Sequence, residues 1–149
     1  MAGALAVAAL NALAGLDGLW SYYRHAVRGR PAAIFWTLLR VGQGSVLTLA
    51  IAVGSLAAAG KHPRDDLFYL YALLPLAIAF VAEQLRLAAA QTVLDQRGLD
   101  GPPAVGELRE EEQQELMAAI LRREQGVMAL SALVVVFLAL RAAGTAHGF

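Results

Sequence analysis

The stretch ALLPLAIAFVAEQLRLAAAQ, residues 72 to 91, is apolar as far as Ala82 and then sets Glu83, Gln84 and Arg86 on the same helix. A carboxylate, an amide and a guanidinium within one turn can hold an ion or a proton, or can pair with one another along the helix. Other charged residues fall at a similar distance along their own segments. Asp17 ends the first apolar run, Arg40 precedes the second with Gln43 just inside it, and Glu124 precedes the fourth. Counted along the helices, Asp17, Arg40, Gln43, Glu83, Gln84, Arg86 and Glu124 form a candidate polar layer, with Arg122, Arg123 and Gln125 beside it. Both signs are present, so Arg86 can pair with Glu83 or Glu124, Glu83 with Arg122 or Arg123, and Arg40 with Asp17 or Glu83.

Two chemistries compete for this layer. A buried set would be an ion or proton site, because charges inside a membrane are costly and usually functional. A set at the edge would be boundary residues that reach headgroups and water. The apolar run Leu67–Ala82 is roughly 24 Å long as a helix, against a hydrocarbon core of about 30 Å, so Glu83 lies about a turn inside the boundary. The boundary reading is preferred. Arg40, a full turn deeper than Trp36, keeps the ion site in view.

The elements that position these residues follow from composition. The chain has 149 residues, of which 58% are hydrophobic and 16% charged, with a mean hydropathy of +0.56. A soluble domain carries about a quarter charged residues, so the apolar excess must be hidden from water. It falls into four runs, Ala2–Leu16, Val41–Ala59, Leu67–Ala82 and Gly126–Leu140, each near the length of a membrane span. Lipid offers unpaired backbone groups no partners, and the alternation of a barrel is absent, so the spans are helical. The expected fold is all-α: a polytopic four-transmembrane-helix bundle with spans at about 2–22, 33–59, 67–88 and 119–141. No basic residue precedes the first run, which argues for a retained helix rather than a cleaved signal. Pro75 is expected to bend the third helix, while Pro31 and Pro63 stand where helices two and three begin.

Basic residues set the orientation. Arg24, Arg28 and Arg30 follow the first span, and Arg86, Arg97, Arg109, Arg122 and Arg123 flank the third connection. Only Lys61, Arg64 and Arg141 lie on the other side. The asymmetry places both termini outside and the first and third connections in the cytoplasm, in the plasma membrane (the inner membrane, for a bacterium). Trp20, Tyr22, Tyr23 and Trp36 then fall at one interface, and Tyr69 and Tyr71 at the other. Helical composition persists past Arg86, breaks at GLDGPPAVG and resumes in ELREEEQQELMAAILRREQ. Residues 89–118 are therefore a cytoplasmic hairpin extension of helices three and four, with a solvated face of five Glu between 107 and 115.

Small and polar residues make two further stripes. Helix one carries Ala4, Ala8, Asn11, Gly15 and Gly18; helix two carries Thr37, Arg40, Gly44, Thr48, Ala52 and Ser55. Such faces allow close approach of helices, either as ordinary packing inside the bundle or as a homodimer seam through Asn11, Gly15, Gly18, Gly44, Thr48 and Ser55.

Several functions are disfavoured. There is no cysteine, hence no disulfide, thiolate metal site or cysteine nucleophile. Net charge is zero and no Arg cluster has the spacing of a phosphate or nucleic-acid site, so no nucleic-acid partner is expected. His25, His62 and His147 lie outside the spans, which argues against a haem. His62 and His147 near Asp65 and Asp66 offer at most a weak metal site, and none is expected. No phosphate loop, H-E-x-x-H or G-x-S-x-G motif occurs, so the reading leans away from an enzyme and assigns no catalytic residue and no cofactor. Small multidrug transporters also have four spans, but they carry an essential Glu in the middle of helix one where this chain has Asn11, and no resemblance follows. The expected role is a non-catalytic accessory, assembly or interaction subunit of a membrane complex, or else a homo-oligomer. The alternative is a small dimeric transporter or channel coupling ions or protons through Asp17, Arg40 and Glu83.

Overall fold

The computed structural model describes residues 1–23, 33–63 and 65–146. Arg24, His25, Arg28, Arg30, Pro31, Arg64 and His147, which carry part of the expected orientation, helix start and metal-site readings, lie outside the described residues. The helices are α1 (Ala2–Tyr23), α2 (Ala33–Ala58), α3 (Leu67–Gln96), the single turn α4 (Pro102–Gly106) and α5 (Glu110–Thr145). No strand occurs among the described residues. All but α4 are long and apolar enough to cross a membrane. Their outward faces agree: Leu47, Phe80, Leu130 and Phe137 stand 50–68% exposed. An apolar surface that continuous belongs in lipid, not water. The chain is an all-α, multi-pass integral membrane protein, a four-helix bundle.

Around the bundle, α2 packs on α1, α1 on α5 and α5 on α3, while α2 and α3 touch only loosely. Each packed pair is antiparallel, as three layers of core residues show. One end is filled by Ala4, Val53, Phe68, Ala72 and Ala142. The middle holds Val7, Val46, Val135 and Ala139. At the other end lie Ala14, Phe35, Leu39, Ala82, Met128 and Ala129. So many alanines bring backbones close, which is how helices associate in lipid where burying Leu gains little. The α1 stripe of Ala4, Ala8, Asn11, Gly15 and Gly18 is buried throughout. It is internal packing, and Gly18 is its tightest point. A Cβ there would come within 2.6 Å of the Phe35 ring and 2.7 Å of Ala129 Cβ.

Polar ties fix the register of this packing. Asn11 is buried, and its Nδ2 donates to Val7 O at 2.9 Å on its own helix and to Gly42 O of α2 at 3.4 Å. Gln125 Nε2, also buried, donates from α5 to Gly18 O of α1 at 3.2 Å.

Two helices outrun a bilayer. At about 1.5 Å per residue, the 30 residues of α3 and the 36 of α5 extend about 45 and 54 Å, against a core of about 30 Å. Pro75 is buried within α3, which continues through it. Beyond Ala82 the two helices stay packed, with Ala89, Val93 and Leu116 buried between them. Gly98 and Gly101, both at positive φ, reverse the chain where a side chain would be strained. Glu110, Glu111 and Glu112 occupy the first turn of α5, where the helix dipole favours carboxylates. Arg109 N–H donates to Glu112 Oε2 at 3.1 Å. The Arg109 side chain, hydrogen-bonded to Glu112 at 2.8 Å, holds that carboxyl below the usual carboxylate range.

Candidate functional site: a charged cluster at the end of an outward-facing groove

The loose contact between α2 and α3 leaves a groove of about 790 Å³ on the outside of the bundle. Its walls are Leu47 from α2 and Leu73, Leu76 and Phe80 from α3, with the small residues Gly44, Ala77 and Ala79 deepening it. The space above Gly44 is open, since a Cβ there would meet nothing within 4 Å. At one end stand Arg40, Gln43 and Glu83.

These three residues tie α2 to α3. Glu83 Oε1 accepts from Arg40 Nη1 at 2.8 Å and from Gln43 Nε2 at 3.1 Å. Arg40 Nη1 also donates to Gln43 Oε1 at 2.8 Å. Arg86, one turn along α3, places its Nε 3.3 Å from Glu83 Oε2. That nitrogen is buried and makes no hydrogen bond, so the attraction is one of charge without good alignment. The Arg86 guanidinium instead stacks 5.4 Å above the Trp36 ring, a contact favoured where water is scarce. Two guanidiniums thus share one carboxylate, and the cluster keeps one positive charge in excess. The surplus is most accessible at Arg40, whose side chain is 56% exposed against 29% for Glu83 and 26% for Arg86.

Of the residues in the expected polar layer, the structure brings Arg40, Gln43, Glu83 and Arg86 together and leaves the others apart. Among the described residues, Asp17, Gln84 and Glu124 join no ion pair with the cluster. Asp17 is on α1, which lies diagonally across the bundle from α3. Gln84 is exposed, about 100° round the helix from Glu83, and Glu124 is turned away from the contact line by its buried neighbour Gln125. Arg122 lies over the Tyr22 ring at 4.8 Å and does not reach Glu83. The stripes also separate. Whereas that of α1 is buried, Thr37, Arg40, Gly44, Thr48, Ala52 and Ser55 of α2 are all exposed, and Arg40 and Gly44 among them line the groove. Thr48 and Ser55 bond only to carbonyls of their own helix, Gly44 and Ile51.

Two contributors escape a reading by charge and depth. Trp36 looks like an interfacial ring but seats Arg86. Gly42 lets Asn11 in, since a Cβ there would lie 2.9 Å from Asn11 Oδ1. A second glycine two residues from Gly44 was the only signal of that approach. At the far end of the bundle His62 Nδ1 lies 3.1 Å from the Tyr69 hydroxyl, and among the described residues no three His, Asp or Glu gather as metal ligands.

Because Glu83 joins the two neighbouring helices that are packed most loosely, Glu83→Ala should cost about 1.5–3 kcal/mol, the usual range for hydrogen bonds to a charged group. Reversible unfolding in mixed detergent would show it as a lower midpoint. An unchanged midpoint would mean that the cluster does not hold α2 to α3.

The chain matches no protein-family model, no curated protein and no solved structure.

Proposed function

We propose that this protein is a non-catalytic accessory, assembly or interaction subunit of a larger membrane complex, and that the α2–α3 face receives a transmembrane helix of its partner. It would sit in the plasma membrane with both termini outside and the α3–α5 extension in the cytoplasm, as the distribution of basic residues favours. The observation that carries the reading is the outward placement of the α2 stripe beside an open groove. Gly, Thr and Ser gain nothing from lipid tails, but they let another helix approach closely and offer it hydrogen bonds. Arg40 adds direction. A half-exposed guanidinium facing the membrane is expensive, and an acidic or acceptor side chain on the incoming helix would satisfy it. The outer face of the α3–α5 extension, with Glu110, Glu111 and Glu115 exposed, offers a second contact to a basic partner.

A second reading is transport. Two copies meeting on this face would enclose Arg40 and Glu83 between them, and Arg40, Gln43 and Glu83 already line the end of the groove. A native mass spectrum of protein gently extracted from its own membrane separates the readings. The first expects a heteromeric mass. A homodimer without other chains would replace it with the second, and Arg40→Leu and Glu83→Gln would be the residues to test for transport.

A further inference from the structure

At the same end of the bundle, α1, α3 and α5 enclose a second cleft, of about 430 Å³, between the membrane core and the extension. Arg97 from α3 and Arg122 and Arg123 from α5 line it, with the Gln96 amide beside them and Tyr22 of α1. Among the described residues no acidic side chain lines it, and none of the three arginines enters an ion pair. Tyr22 fixes the ring face on which Arg122 rests, 4.8 Å from the guanidinium. Buried Val93 forms the apolar back wall.

We propose that this cleft holds the phosphate of an anionic phospholipid. Depth argues for a lipid. Arg123 and Arg122 stand three and four residues before the apolar run that begins at Gly126, about 5 Å along the axis, and Tyr22 lies about 9 Å beyond the end of the run in α1. Arg97 is rooted deeper in the extension, about 22 Å past Ala82, and reaches back toward the membrane because side chains tilt toward the start of their helix. The headgroup layer occupies roughly 5–8 Å on each side of the hydrocarbon. Charge argues for a phosphate. Guanidinium forks match its oxygens, and three of them line this one cleft with no carboxylate paired to them among the described residues. No stretch of sequence announces the site, because Arg97 comes from a different helix than Arg122 and Arg123.

The test is lipid titration of the full-length protein, stripped in detergent, followed by native mass spectrometry. Phosphatidylglycerol is compared with phosphatidylcholine of the same acyl chains. Each arginine near an anionic headgroup contributes about fivefold in affinity, so a preference for phosphatidylglycerol on the order of a hundredfold is expected for its first molecule. The triple change Arg97→Gln, Arg122→Gln, Arg123→Gln should abolish that preference. Arg97→Gln alone, an exposed position whose loss leaves the fold intact, should lower it about fivefold. Arg141→Gln, at the opposite end over Tyr71, should leave it unchanged. The proposal is overturned by equal affinity for the two lipids, by a preference left undiminished in Arg97→Gln, or by an equal loss in Arg141→Gln. Displacement of phosphatidylglycerol by an equal concentration of inorganic phosphate would also overturn it, by making the cleft a site for soluble anions.

Discussion

Gly18→Leu is expected to keep the protein from accumulating in the membrane at all, while Gly18→Ala yields a folded protein with a clearly lower unfolding midpoint. Gly18 is where α1, α2 and α5 converge. A Cβ there meets the Phe35 ring at 2.6 Å and Ala129 Cβ at 2.7 Å. Neither can give way, since Phe35 is 1% exposed and Ala129 wholly buried. Forcing extra atoms into such a core costs about 1–3 kcal/mol for one carbon, more than the roughly 1 kcal/mol that alanine gains over glycine within a helix. The same backbone is also held by Gln125, which donates to Gly18 O. Gly15→Ala should be milder, because the two closest atoms, at 2.7 and 2.9 Å, belong to the partly exposed Leu133 side chain, which can shift, and the Ala129 carbonyl oxygen lies farther off at 3.3 Å. Membrane yield should set Gly18→Leu apart from the other two, and reversible unfolding should rank Gly18→Ala below Gly15→Ala. An undisturbed Gly18→Ala would mean that α1 is not seated on α5 as described.

Gly44→Leu should do the opposite: the single chain folds as well as before or slightly better, and its association with the proposed partner fails. Nothing within 4 Å would meet a Cβ at Gly44, so leucine finds room and removes the entropic penalty of a helical glycine. An incoming helix that packs against Gly44, Thr48 and Ser55 would then meet a bulky side chain instead of a flat face. The overpacking of about 1–3 kcal/mol weakens association roughly 5- to 150-fold. Co-purification of the complex from membranes, with the unfolding midpoint measured alongside, separates the two effects. A lowered midpoint would place Gly44 inside the bundle; full association would place the partner elsewhere.

That Gly18 and Gly44 behave so differently could not be read from their stripes. In water, the outward face of a helix is polar and the inward face apolar. In lipid both are apolar, so nothing in Ala4–Gly18 or Thr37–Ser55 says which stripe faces the core. The helices themselves were legible, because the bilayer demands uninterrupted apolar runs of a known length. So was the extension of α3 and α5, since charge returns at Glu83 and Glu110 while helical composition persists. Depth along each helix can be counted, and it put Asp17, Arg40, Glu83 and Glu124 at one level. Rotation about the axis cannot be counted across helices, which is why Arg40 and Gln43 meet Glu83 and Asp17 does not. The same limit hid the arginine cleft, built from two helices that only the fold brings together.

The chain contains no cysteine, so one thiol placed on it gives an unambiguous cross-link. Thr48→Cys sits on the exposed α2 stripe, and Leu130→Cys on an outward, 59% exposed position of α5. Treated in native membranes with a short cross-linker carrying a maleimide at one end and a photoreactive diazirine at the other, Thr48→Cys should give one discrete adduct with another protein that Gly44→Leu abolishes, and Leu130→Cys should give none. No adduct from Thr48→Cys, or the same adduct from both positions, would contradict a partner helix seated on α2.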